Sequence, residues 1–198
     1  MINDCTAIIL AGGASKRMGR DKANILLGDL TLLQHVIAAM QRVFPEVIVS
    51  VREYRPEVDL PQVCDQPGVE GPLAGVLAAL SQVKTPWAFI VACDMPFVRP
   101  SMIESIAPYR AGHQAVVPVI QGHAQPMAAF YAREVLTVIR THLAGGGKNS
   151  LRAVFAQLSV HYVETTELAQ IDPALRSFLD MDTPQDVMDH VNRKTEGV

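Results

Sequence analysis

The chain has 198 residues, 49% hydrophobic and 19% charged, with a net charge of −3. These are the proportions of one globular domain that buries well over half of its unfolded surface, and the charge provides no basic face for nucleic acid. Cys5, Cys64 and Cys93 close no disulfide framework and match no zinc spacing, and no apolar run reaches the roughly 20 residues of a membrane span.

The N-terminal stretch, with Asn3-Asp4 ahead of a short apolar run, has no signal-peptide pattern, so a soluble, reduced, cytoplasmic protein is expected. Ala7-Ile8-Ile9-Leu10 reads as a short buried strand running into Gly12-Gly13. Thr31 caps a helix over 32–43, whose apolar residues recur at three- and four-residue steps, with Pro45 just past its end. Val47-Ile48-Val49-Ser50-Val51 is a second buried strand. Strand, helix, strand in this order gives a parallel, right-handed crossover. Residues 52–62 read as loop, a short strand at Gln62-Val63-Cys64 delivers Asp65, and Gly71-Pro72 opens a helix to about Val83. The run Trp87-Ala88-Phe89-Ile90-Val91 is apolar throughout and belongs at the centre of a sheet, ending in Ala92-Cys93-Asp94-Met95-Pro96.

The alternation continues less cleanly. A helix is expected over 101–107 and strands over 115–119 and 127–131, which either form a hairpin or lie apart. Helices over 135–143 and 151–158, a strand over 160–163 and a last helix over 185–191 complete the chain. With no repeat or linker to divide it, residues 1–198 read as one α/β domain: a mostly parallel sheet with helices on both faces.

The organising stretch is Leu10-Ala11-Gly12-Gly13-Ala14-Ser15-Lys16-Arg17-Met18-Gly19-Arg20-Asp21-Lys22. Glycines without Cβ take positive φ and admit a ligand to backbone N–H groups, while Arg17 and Lys22 bring positive charge. That sequence of parts holds a polyphosphate at the carboxyl end of a sheet. It is neither the dinucleotide fingerprint, since Ala14 and Ser15 break G-x-G-x-x-G, nor a P-loop, since Gly19-Arg20-Asp21-Lys22 lacks Gly-Lys-Ser/Thr. Gly145-Gly146-Gly147-Lys148-Asn149-Ser150 also fails as a P-loop and reads as a helix stop with a flexible connection.

The loop, L-A-G-G-x-S-x-R-M-G-x-D-K, resembles the signature of nucleotidyltransferases, and its LAGG form resembles the molybdenum cofactor guanylyltransferases. Cys93-Asp94-Met95-Pro96 and Gly71-Pro72-Leu73-Ala74-Gly75 are similar to two further motifs of that family. The resemblance implies a three-layer Rossmann-like nucleotidyltransferase fold, with nucleotide bound by the N-terminal half and acceptor by the C-terminal half. It also implies transfer of GMP from Mg-GTP to the terminal phosphate of molybdopterin, releasing pyrophosphate. Handover of the product to molybdoenzymes or their chaperones would follow.

Asp94, at the end of a buried strand, suits Mg²⁺ as an oxygen ligand; in isolation it would be a turn residue. Lys22 suits the charge building on the α-phosphate and the departing pyrophosphate. Arg17 suits the outer phosphates or the acceptor, with a surface ion pair as the plainer reading. The implied nucleotide site adds Leu10, Ala11, Gly12, Gly13, Ser50, Asp65, Gly71, Pro72 and Leu73. Asp65 offers an acceptor for guanine or ribose, and GPLAG frames the base. Ser50 stands where the family usually has Asn, so a base contact there is weaker or water-mediated.

Leu179-Asp180-Met181-Asp182-Thr183-Pro184 resembles a late N-x-N-T-P motif near the pterin, with aspartates replacing both asparagines. Asp180 and Asp182 are therefore candidates for the acceptor site, and Asp182 for the metal beside Asp94; Thr183 reads as the cap of the helix that follows, and capping explains Asp182 equally well. Gln125-Pro126-Met127 and Arg152 resemble positions in the acceptor half without assignable roles. A cytidylyltransferase of the same class, and a carrier that binds nucleotide or pterin without catalysis, are the rival readings.

Overall fold

Alternation along the central strands sends each side chain to one of two cores. In the computed structural model, which describes residues 1–12, 21–65, 72–181 and 185–186, the chain opens with β1 (Cys5–Leu10). A 3-10 turn at Lys22–Asn24 leads into a small hairpin, β2 (Leu26–Leu27) and β3 (Leu30–Thr31). Then come α1 (Leu32–Gln41), β4 (Glu46–Val51), β5 (Gln62–Cys64), α2 (Pro72–Gln82), β6 (Trp87–Ala92) and α3 (Pro100–Ile106). The second half runs β7 (Ala115–Ile120), β8 (His123–Ala124), β9 (Ala128–Ala132), α4 (Val135–Ala144), α5 (Leu151–Phe155), β10 (Val160–Val163) and α6 (Thr165–Ile171). A 3-10 turn follows at Arg176–Phe178.

The main sheet has the order β10-β7-β9-β6-β1-β4-β5, with β8 paired to β7. β1 is parallel to β4 and β6, β5 is parallel to β4, and β10 is parallel to β7. The expected mostly parallel sheet is therefore present, with β6 at its centre. β9 is the exception, antiparallel to both β6 and β7. This resolves the open question about the strands near 115 and 130: they pair directly, Val116 opposite Phe130.

Ala7, Ile9, Val49, Phe89, Val91 and Phe130 pack on one face under α1, α3 and α6. Ile8, Ile90, Val117 and Tyr131 pack on the other under α2, α4 and α5. Phe89 meets Phe130 edge-on with ring centroids 4.8 Å apart, adding aromatic contact to plain burial.

The predicted cap of α1 is present in full: Thr31 Oγ1 accepts from the Gln34 amide at 3.2 Å, and Gln34 Oε1 accepts from the Thr31 amide at 2.8 Å. The helix ends at Gln41 rather than 43, where the amides of Arg42 and Val43 bond to the Met40 carbonyl in place of carbonyls four residues back. α5 stops at Phe155, short of the expected 158. α6 was not anticipated, being short and largely polar on its outer side. The expected last helix lies mostly outside the described residues; Gln185 and Asp186 are helical. Among the described residues no helix is long and apolar enough to cross a membrane.

Candidate active site at the sheet edge

Parallel register brings the ends of β1, β4, β5 and β6 to one edge, where Leu10 pairs with Ser50 on one side and Ala92 on the other. The Ala11 amide donates to the Ser50 carbonyl at 2.7 Å, and the Cys93 amide to the Leu10 carbonyl at 3.1 Å. These bonds continue the ladder past the strands and fix Asp94 beside the opening of the glycine loop. The Ala11 N–H is thereby spent on the sheet, which leaves other atoms of Ala11 to face the edge.

Lys22 and Asp94 meet at that edge. Nζ lies 2.8 Å from Oδ2, with the side chains 20% and 17% exposed, sheltered yet reachable. The turn bearing Lys22 is tied down from its other side. Asp21 accepts from the Ala23 amide at 3.1 Å and is ion-paired with Arg55, which also donates to Asn24 Oδ1 at 3.2 Å. Gln62 holds the Arg55 backbone at both its amide and its carbonyl, 2.9 and 2.8 Å away. Arg55 thus supports the Lys22 turn from a segment that the sequence shows only as a charged, proline-bearing loop; no periodicity singles it out.

Asp65 sits between two glycines. A Cβ on Gly12 would lie 3.3 Å from Asp65 Oδ2 and 3.2 Å from the Arg52 amide nitrogen. A Cβ on Gly75 would lie 3.2 Å from Asp65 Oδ1 and only 2.7 Å from Ser50 Oγ. At Gly12 a side chain would crowd Asp65 and the Arg52 backbone, and the residue does not adopt positive φ. Ser50 is 1% exposed and donates a long hydrogen bond, 3.5 Å, to Asp65 Oδ1. Its hydroxyl is turned to Asp65. Burial raises the Asp65 pKa, opposed by the Arg52 charge and then by the Ser50 hydrogen bond. Pro72 opens α2, while the Leu73 side chain belongs to the core, so only its backbone is available to a ligand.

The late acidic stretch reaches the same place. The Met181 amide donates to the Asp94 carbonyl at 2.8 Å, and the Met181 side chain is buried against Leu32. Asp180 is exposed next to it. Gly13, Arg17, Gly71 and Asp182 lie outside the described residues. Cys93 is buried beside Asp94, and burial pushes its thiol up to about 12, so it stays neutral and is no nucleophile. Among the described residues no three His, Cys, Asp or Glu side chains gather to hold a metal by themselves.

The model of the MobA-like NTP transferase domain matches residues 7–162. The chain belongs to that family. It is 32% identical over 98% of its length to a probable molybdenum cofactor guanylyltransferase of Methanosarcina mazei, covering 92% of that protein. It is 34% identical over 92% of its length to one of Chloroflexus aggregans, covering 91%. Among solved structures it is similar to molybdopterin-guanine dinucleotide biosynthesis protein A from Archaeoglobus fulgidus, with a TM-score of 0.83 and 23% identity over 96% of this chain and 99% of that one. The fold is shared more widely. 2-C-methyl-D-erythritol 4-phosphate cytidylyltransferase from Thermus thermophilus matches at a TM-score of 0.70 and 19% identity, over 92% and 95% of the chains.

As a MobA-like NTP transferase, the chain is a nucleotidyltransferase enzyme with the Rossmann-like fold of that group. Its second half contributes a looser set of groups. Arg152 donates to the Ala124 carbonyl at 2.9 Å, tying α5 to β8. Gly145 caps α4, and His142 closes the following loop onto the Lys148 carbonyl at 2.9 Å.

Proposed function

We propose that the protein transfers GMP from GTP to the terminal phosphate of molybdopterin, forming the guanine dinucleotide form of the molybdenum cofactor. A phosphate oxygen of the acceptor attacks the α-phosphorus, the bond to the β-phosphate breaks, and pyrophosphate leaves. The observation that carries the reading is the Lys22–Asp94 pair, 2.8 Å apart at the edge where the glycine-bearing loop leaves β1. The names of the relatives support guanylyl transfer and this cofactor.

The acceptor phosphate is already anionic near neutral pH, so no strong base is needed, and the protein's task is alignment and charge compensation. Lys22 would leave Asp94 for the phosphates and follow charge onto the departing pyrophosphate. Asp65, braced by Ser50, would accept from the guanine edge or the ribose. A sheltered carboxylate that belongs to no cluster of three or more such ligands among the described residues fits Mg²⁺ as it usually binds, through one or two carboxylates with substrate phosphates completing the shell. Asp94 would hold that ion, and Asp182 is the further candidate. When bound, Mg²⁺ supplies neutralisation of phosphate charge at the reacting centre.

The test offers GTP, CTP and ATP with Mg²⁺ and molybdopterin to the purified chain and measures pyrophosphate and dinucleotide. GTP is expected to be the preferred donor. Preference for CTP would make this a cytidylyltransferase, and nucleotide binding without product would make it a carrier.

A further inference from the structure

Among the described residues Asp172 is the only charged side chain classed as buried, at 1% exposure, and the transfer chemistry makes no use of it. Taking a carboxylate out of water is costly unless partners replace the lost hydration. Here Oδ2 accepts from the Ser177 amide at 2.7 Å. Oδ1 makes no hydrogen bond; the Arg99 guanidinium stands 3.6 Å away, itself 46% exposed. Ser177, also fully buried, accepts with its Oγ from the Arg99 amide at 3.2 Å. Asp172, Ser177 and Arg99 thus join two stretches distant in sequence: the loop after β6 and the segment after α6.

These stretches are fastened again at their other ends. Arg99 closes the loop that Asp94 opens, and Met181 lies just beyond Ser177. The Met181 amide donates to the Asp94 carbonyl at 2.8 Å. Between the two fastenings the Arg176 guanidinium lies over the Phe97 ring, 4.8 Å from its centroid, and Phe97 packs with Leu32 and Met181. The turn in the second stretch is held out of its ordinary conformation. Leu175 has φ of 50°, unusual for a residue with a branched side chain, and its amide is bound to the Asp172 carbonyl at 2.7 Å. Asp172 therefore grips that turn from both ends, by its backbone at Leu175 and by its side chain at Ser177.

We propose that Asp172 is a positioning residue for the Asp94 site: its buried carboxylate fixes the turn that sets Met181 against the Asp94 backbone and brings Asp180 to the nucleotide edge. The proposal rests on Asp94 lying at the transfer centre. A carboxylate that served stability alone would give a variant that melts lower with an unchanged site. A positioning carboxylate gives a site that loosens locally while the sheet stays intact.

Amide hydrogen exchange separates the two. In Asp172→Ala, exchange at Met181 should rise about tenfold while the amides of β1 and β6 keep their protection. In the transfer assay kcat should fall about tenfold, with KM for GTP within about twofold. Asp172→Asn keeps an oxygen to accept from Ser177 and should recover most of both. Phe155→Leu, on the opposite face of the sheet, is the control for simple destabilisation and should leave Met181 exchange as in the wild type. If Asp172→Ala does not fold, Ser177→Ala carries the test, since it deprives only the Arg99 amide of its acceptor and should shift both readouts in the same direction. Unchanged Met181 exchange and kcat in the folded variant, or an equal change in Phe155→Leu, overturns the proposal. Absence of transfer in the wild type would sink the functional reading instead, while Met181 exchange would still decide the contact.

Discussion

In the half of the sheet formed by β1, β4, β5 and β6 every strand runs parallel to its neighbour, so each strand end delivers a loop to one edge. Beyond β6 the antiparallel β9 reverses that delivery: its first residue, Ala128, lies at the edge opposite Val91, and its last returns beside Trp87. The two halves therefore place chemistry by different means. The first half uses backbone ladders that run on past the strands, Ala11 to Ser50 and Cys93 to Leu10, and its groups pack closely enough to exclude a methyl. The second half reaches the edge through turns and a short helix, tied by side chains such as Arg152. On the proposed function, the rigidly placed half would serve the nucleotide and the other half the acceptor.

The largest expected effect separates the halves outright. Asp94→Ala should keep its fold and lose kcat by roughly 100-fold or more, because on the proposed mechanism the group lies where charge develops, and its side chain is outside the buried core. Near-normal turnover under saturating Mg²⁺ would remove Asp94 from the mechanism.

Gly75→Ala probes the close packing itself. The new methyl would stand 2.7 Å from a buried serine hydroxyl, which has no solvent to swing into. A loss of about 1–3 kcal/mol in urea unfolding is expected, as for overpacked cores. GTP affinity should fall about tenfold as Asp65 is displaced. Ser50→Ala in the same chain should return part of both, a coupling that a double-mutant cycle measures. If the two substitutions prove additive, Ser50 and Gly75 do not act as a unit on Asp65.

Ser50 also shows how far the sequence could be read. The Lys22 and Asp94 positions were legible because a loop motif and a strand end each mark a place at the edge, and two such places on parallel neighbours must converge. Ser50 was legible as the end of a strand at the edge but not in its surroundings. A hydroxyl there reads as open to a ligand, whereas it lies buried beside Gly75 and bonded to Asp65. Arg55, Asp172 and Ser177 carried no signal, since each acts through a contact between segments whose pairing only the folded chain decides. β9 was visible as a strand whose antiparallel pairing with β7 stayed one of two alternatives, because alternation fixes which faces a strand buries and says nothing of its direction.

Asp65→Asn gives a smaller and opposed pair of effects. Burial raises the Asp65 pKa, so between the ordinary carboxylate value and the raised one the folded chain keeps a proton that the unfolded chain has lost. Stability then falls as pH rises through that window. Asparagine does not titrate, so the variant should be more stable than the wild type at about pH 7, with the margin vanishing below about pH 4. GTP binding should weaken in the same variant. Urea midpoints across that range, with GTP titrations alongside, check both signs; a variant less stable than the wild type at neutral pH would show the carboxylate to be stabilising where it stands.

The smallest effect is expected in the second half, at a glycine that looks more crowded still. A Cβ on Gly147 would fall 2.4 Å from the His142 ring, closer than anything near Gly75. The obstacle, however, is the end of a half-exposed side chain, held among the described residues by the Lys148 carbonyl at 2.9 Å and Gln157 at 2.8 Å. Water can replace both partners once the ring swings out, so Gly147→Ala should cost about 1 kcal/mol or less and leave GTP affinity unchanged. The shorter clash would then have the milder consequence, because what decides the cost is whether the neighbour can move. A loss equal to that of Gly75→Ala, or a shift in GTP affinity, would mean that this loop is packed into the nucleotide site and that the two halves are not separately built.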